Sequence, residues 1–133
     1  MIDLSLVVTD LVLRGGKSLA QDLQDNYRRS PTLPGLSVIF HPGYDVAALA
    51  QAGHFKHGKI SYATVAQLQQ TLATVGYGMQ LLSTPSPNGI NPDHHSLLVM
   101  QQGNVLPTLP DAAAQALSTE FAKNIVENPY QQP

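Results

Sequence analysis

The sequence predicts an α+β fold: a small mixed or antiparallel sheet with flanking helices. Three observations carry this expectation. Short β-branched or alternating runs and segments with helical apolar spacing are interspersed along the chain in about equal number. The 133 residues are 43% hydrophobic, the size and composition of one globular domain, so residues 1–133 are expected to form a single unit. Glycine and proline clusters break the chain into pieces too short for a repeat array or a coiled coil.

Taken in order, "LSLVVTDLVLR" (4–14) is a strand that Gly15 and Gly16 end. From Lys17 to Arg29, Leu19, Ala20, Leu23 and Tyr27 recur at helical spacing. "SPTLPG" (30–35) is a loop, because closely spaced prolines propagate neither regular element. "GLSVIF" (35–40) is a second strand. Residues 44–53 form a helix that Asp45 is placed to cap and Gly53 to end. "HGKISYATVAQLQQTLATVG" (57–76) passes from strand to helix, with Thr64 or Ser61 as N-cap and Val65, Leu68, Leu72 and Val75 as the apolar stripe. "GMQLLS" and "HHSLLVM" are strands separated by the proline-rich connection "TPSPNGINPD". Asp111 caps an alanine-rich helix reaching about Val126, and "ENPYQQP" is a tail.

Composition excludes several functions. The net charge is −2 and the seven Lys and Arg are scattered apart from Arg28-Arg29, so no basic stripe exists for long nucleic acid. Zero cysteines rule out disulfides and thiolate metal sites. The opening "MIDLSLVVTDLVLR" lacks a basic n-region, and no apolar run reaches membrane-spanning length. A cytoplasmic location is expected, and delivery by a signal-independent secretion system is compatible with the same sequence.

Arg14 is the first candidate site residue. A guanidinium at a strand end offers a planar fork of donors to a phosphate or carboxylate, and Gly15-Gly16 lets backbone approach a ligand closely. An arginine that merely leaves the strand at the surface is the plainer alternative. Ser37 stands between Leu36 and Val38, so it faces away from them and can orient a ligand or simply meet solvent. No G-x-S-x-G surrounds it, which argues against a serine hydrolase. The five histidines fall into two regions, His41, His54 and His57, then His94 and His95. A metal would need three of them to converge with Asp45 or Asp93, and no helical H-x-x-x-H spacing supports one. His94 and His95 point to opposite faces of their strand, so one at most can handle a proton or orient a ligand at a given site. "RGGKS" lacks the first glycine of a phosphate-binding loop, because Leu11 holds that position.

In their order, "LVLRGG", "PGLSVIF" and "PDHHSLLVM", followed by a proline-bounded helix, resemble small bacterial proteins of the ADP-ribosyltransferase-like fold, in the group of type VI secreted toxins. The resemblance spans most of the chain between Leu11 and Val126. It implies a toxin that takes NAD as substrate, transferring ADP-ribose or consuming the dinucleotide, and that is held by a cognate antitoxin or immunity protein. On matching positions it implies Arg14 for the NAD phosphates or ribose, Ser37 as a brace, and His94 or His95 on the later strand. Gly15 would allow the approach of the nucleotide, and Phe40, Tyr62 and Tyr77 would wall its ring. The later strand departs from the pattern, since "HHSLLVM" has no glutamate; Asp93 precedes it and Glu120 lies on a helix. An inert interaction module that keeps the fold without the chemistry is the rival reading.

Overall fold

A computed structural model describes residues 10–28, 34–86 and 89–132. The strands are β1 (Leu11–Gly15), β2 (Leu36–Phe40), β3 (Lys59–Thr64), β4 (Gly78–Ser83), β5 (His94–Gln101), β6 (Asn104–Val105) and β7 (Ile125–Glu127). The helices are α1 (Ala20–Tyr27), α2 (Val46–Gly53), α3 (Val65–Thr74) and α4 (Asp111–Ala122). One sheet carries all seven strands in the order β4-β5-β2-β1-β3-β7, with β6 paired to β5. Every pairing is antiparallel, which decides between the mixed and antiparallel expectations.

Alternation along the strands sets the two faces. Val12, Val38, Phe40, Ala63, Leu97 and Val99 point to one side, where α1, α3 and α4 cover them with Leu23, Tyr27, Leu68, Leu72, Leu117 and Phe121. Leu13, Ile39 and Ile60 point to the other, under Leu49 and Ala50 of α2. The helix starts follow local chemistry. Asp45 accepts from the Ala48 amide at 2.9 Å, and Thr64 with Gln67 completes a reciprocal capping box on α3. Ser61 is therefore not that cap.

Several boundaries differ from expectation. The strand predicted over 4–14 is observed only from Leu11, residues 4–9 lying outside the described ones, and it runs through Gly15 before Gly16 turns it at φ 79°. α1 begins at Ala20 rather than Lys17, leaving residues 16–19 as a loop. The predicted Arg29 end of α1 and residues 30–33 of the loop lie outside the described residues. Gly53 closes α2, but it is His54 that takes the left-handed conformation, at φ 51°. Val75 stands just past α3 and is 38% exposed, so it does not belong to the buried stripe. Asp111 is the first residue of α4 and makes no cap; it accepts instead from the Gln24 amide at 2.7 Å.

The largest correction concerns the C-terminal segment. Helix α4 stops at Ala122, and residues 125–127 leave it to extend the sheet, with Val126 opposite Ile60. The edge of β3 offers ladder hydrogen bonds to a β-branched Ile-Val pair, and this outweighs the helical continuation. The expected tail then runs back along residues 55–58. Asn128 donates from its backbone to the Gly58 carbonyl and from its side chain to the His57 carbonyl, and Gln132 donates to the Phe55 carbonyl. That stitching holds in place the loop that carries His57.

Candidate functional site

Antiparallel pairing brings the end of β1 beside the start of β2, with α1 packed above both. Arg14 sits at that corner and is only 6% exposed. Its Nη1 donates to Asn26 Oδ1 at 2.9 Å and to the Ser37 carbonyl at 3.0 Å, and its Nε donates to Ser18 Oγ at 3.3 Å. Asn26 Oδ1 also accepts from the Ser37 amide at 2.9 Å. One helix side chain thus orients the guanidinium and the first turn of β2 together. A buried charge fixed by several hydrogen bonds is pre-oriented, so Arg14 keeps one geometry at the edge of the cleft.

Arg14 heads a polar cleft of about 390 Å³ that includes Lys17, Asp22, Asp25, Ser37 and His57. Two cations therefore face two carboxylates. Such a set suits a ligand that both accepts and donates, such as a sugar phosphate, better than a bare anion. His57 rests against the glycine turn: a first side-chain carbon placed on Gly16 would lie 2.9 Å from its Nε2. Gly15 is equally enclosed, with Phe55 and His57 covering the space of its absent side chain.

A second cleft, of about 610 Å³, opens on the other side of the same loop. Leu19, Ile60, Phe121 and Ile125 make it apolar, and Gly16, Lys17 and His57 line both clefts. The two spaces therefore share a rim made of a glycine turn, a lysine and an imidazole.

Of the residues singled out from the sequence, Arg14, Gly15, Gly16, Ser37 and His57 line the polar cleft, whereas His94, His95, Phe40, Tyr62 and Tyr77 do not. His95 lies on the helix-covered face, edge-on to Phe40 at 5.3 Å between ring centres, with its Nδ1 on the Asp93 carbonyl at 2.9 Å. His94 is on the opposite face, where Nδ1 lies 2.8 Å from the Thr84 carbonyl. Register places His95 opposite Val38 and His94 opposite Ile39; His95 thus stands level with Arg14 but two strands away, with Val38 of β2 between them, and neither histidine lines either cleft. The three aromatics expected as a ring wall pack elsewhere. Phe40 is part of the buried core, Tyr77 packs against that core, and Tyr62 packs against the smaller cluster under α2. Phe121 is the aromatic side chain that lines the apolar cleft.

The acids are rearranged as well. Asp93 is 2.8 Å from His41 Nδ1, and Glu120 is 3.3 Å from Lys123 Nζ, so neither of the acids weighed from the sequence lines the Arg14 cleft. Asp22 and Asp25 do line it. Their spacing with Asn26, at i, i+3 and i+4, puts all three on one helix face, a signal already present in the sequence. His57 had no comparable signal, because its place depends on the C-terminal stitching. Among the described residues no group of three His, Cys, Asp or Glu is arranged to hold a metal ion, and no helix is long and apolar enough to cross a membrane.

No family model, curated protein or solved structure matches this chain. The α+β class with its antiparallel sheet is what the coordinates establish, and function rests on the site.

Proposed function

We propose that the paired clefts bind a nicotinamide-type dinucleotide and that the chain is a small bacterial toxin with an ADP-ribosyltransferase-like site, acting on NAD by transferring ADP-ribose or by consuming it. The supporting observation is the shared rim at Gly16, Lys17 and His57, with a guanidinium behind it, a polar space on one side and an apolar space on the other. In this reading the pyrophosphate lies at the rim, where Lys17 supplies charge and the glycine turn permits close approach. A ribose occupies the polar cleft, its hydroxyls donating to Asp22 and Asp25, and a ring enters the apolar cleft. Arg14, anchored by Asn26, carries the positive charge that the carboxylates offset. The toxin role and a cognate antitoxin or immunity partner come from the resemblance in motif order, and the cytoplasmic location from the charge pattern of the opening residues.

The test is titration of the purified chain with NAD by calorimetry, with chromatography of the nucleotide after incubation. Lys17→Ala and Ser37→Ala change exposed residues and leave the core intact, and Arg14→Lys keeps the charge but not the fork. Saturable binding weakened several-fold by Lys17→Ala, and a growth defect on expression that Arg14→Lys relieves, are expected. No binding, with unchanged NAD in lysates and equal growth, would remove the reading.

An inert interaction module is the second reading, and one observation favours it. The Arg14 guanidinium donates to Asn26, to Ser18 and to the Ser37 and Lys17 carbonyls, which is how an arginine locks a strand corner. That reading predicts loss of stability, with no change in nucleotide chemistry, when Arg14 is replaced.

A further inference from the structure

The apolar cleft contains a feature the nucleotide reading does not use. Ser61, in the middle of β3, is 4% exposed, and its Oγ is buried with no hydrogen-bond partner. Its strand neighbours are Arg14 on one side and Ile125 on the other, so the hydroxyl points to the helix-covered face, at the floor between α1 and α4. Ser118 of α4 brings a second hydroxyl to the same space, and Leu19, Phe121 and Ile125 supply apolar wall. Leu19 and Ile125 are 68% and 56% exposed, so the cleft presents much apolar surface to solvent.

A buried hydroxyl without a partner is costly, and natural interiors rarely keep one without use. An alanine at position 61 would fit the strand equally well. We infer that the cleft is a binding site for a small apolar, preferably aromatic, compound carrying one carbonyl-type acceptor, and that the Ser61 hydroxyl, donating to that oxygen, determines the selectivity. The chemistry matches the general pattern of ligand sites, an apolar enclosure with few placed polar groups. Discrimination is expected to be asymmetric. A ligand lacking the acceptor leaves Ser61 as unsatisfied as before, whereas one that has it exchanges a bond to water for a bond in a dry site. The inference does not require NAD; where the nucleotide reading holds, it specifies that the ring entering this cleft bears such an acceptor.

The experiment compares acetophenone with ethylbenzene, which have nearly the same shape and differ in the carbonyl. Binding to the full chain is measured by ligand-observed NMR titration, for the native protein, Ser61→Ala and Ala122→Trp. Ala122 is exposed at the cleft, so the tryptophan fills the cleft without entering the core. The native chain is expected to prefer acetophenone by about five- to tenfold, the scale of one hydrogen bond. Ser61→Ala is expected to abolish the preference while leaving ethylbenzene affinity unchanged, and Ala122→Trp to weaken both compounds. The melting temperature of Ser61→Ala should not fall, because the substitution removes an unsatisfied group. A preference that survives in Ser61→Ala, no binding of either compound to the native chain, or native affinities in Ala122→Trp would each overturn the inference. NAD titrated in parallel reports separately on the nucleotide reading: acetophenone selectivity without NAD binding upholds this inference and removes the other.

Discussion

Tyr27 offers the most quantitative test of how the helical layer is fastened to the sheet. Its ring is fully buried at the end of α1, its hydroxyl donates to the Leu106 carbonyl at 2.8 Å, and it accepts from the Val99 amide at 3.1 Å. Tyr27→Phe preserves the packing and strands a buried N–H and a carbonyl. The cost of leaving such groups unmade is about 1–3 kcal/mol. For a chain of this length that corresponds to a fall in Tm of roughly 3–4 °C per kcal/mol. The pH dependence gives a second, independent reading. Burial raises the phenol above its ordinary 10.0, outweighing the lowering effect of the Val99 hydrogen bond. Above pH 10 the unfolded chain has released this proton while the folded chain retains it. Stability is therefore full below pH 10 and declines as pH rises toward and through the folded value, by at most about 1.4 kcal/mol per pH unit. Tyr27→Phe lacks this contribution, so its deficit relative to the native chain should be constant from pH 7 to 9 and shrink above pH 10. Urea unfolding followed by circular dichroism across that range measures both. A deficit below about 0.5 kcal/mol at pH 8, within the range of neutral surface changes, or one unchanged between pH 8 and 11, would refute the account.

Three further outcomes are expected. Asn26→Ala removes the acceptor shared by Arg14 and the Ser37 amide and should cost about 2–3 kcal/mol in urea unfolding, while Asn26→Asp, which keeps an acceptor there, should cost less. Thr64→Ala dismantles the α3 capping box and should lower stability by about 1 kcal/mol, with Gln67→Ala losing a smaller share. Gly16→Ala imposes a side chain at φ 79° and against His57, so it should lose about 1–2 kcal/mol and displace the His57 ring resonances in an NMR spectrum, whereas Gly43→Ala, at φ 83° in open space, should lose stability without moving them.

Local chemistry made much of the fold legible. Thr64 and Gln67 form a capping box three residues apart, Asp45 caps α2 three residues away, and the apolar stripe of α3 holds through Leu72 because helical spacing alone chooses its face. Alternation likewise foretold that His94 and His95 would part to opposite faces. Failures fall where a long-range partner overrode a local preference. An alanine-rich segment looked helical to Val126, yet the free edge of β3 took residues 125–127 as a strand. Phe40 looked like a ligand wall because an aromatic at a strand end is locally indistinguishable from one in the core.

The candidate site divides along the same line. Arg14, Gly15 and Ser37 could be picked out in advance, since a guanidinium, a glycine turn and a strand hydroxyl are chemical facts about single residues and their neighbours. That Asn26 would hold the guanidinium, that His57 would cover the glycine turn, and that Ser61 would lie unpartnered beneath Phe121 were decided by contacts between segments 12 to 71 residues apart. Residue type and short spacing dictate which conformations and hydrogen bonds are available to each stretch of chain. Which of the available partners is actually met depends on sheet order and register, and these follow from burying both faces of the whole sheet at once.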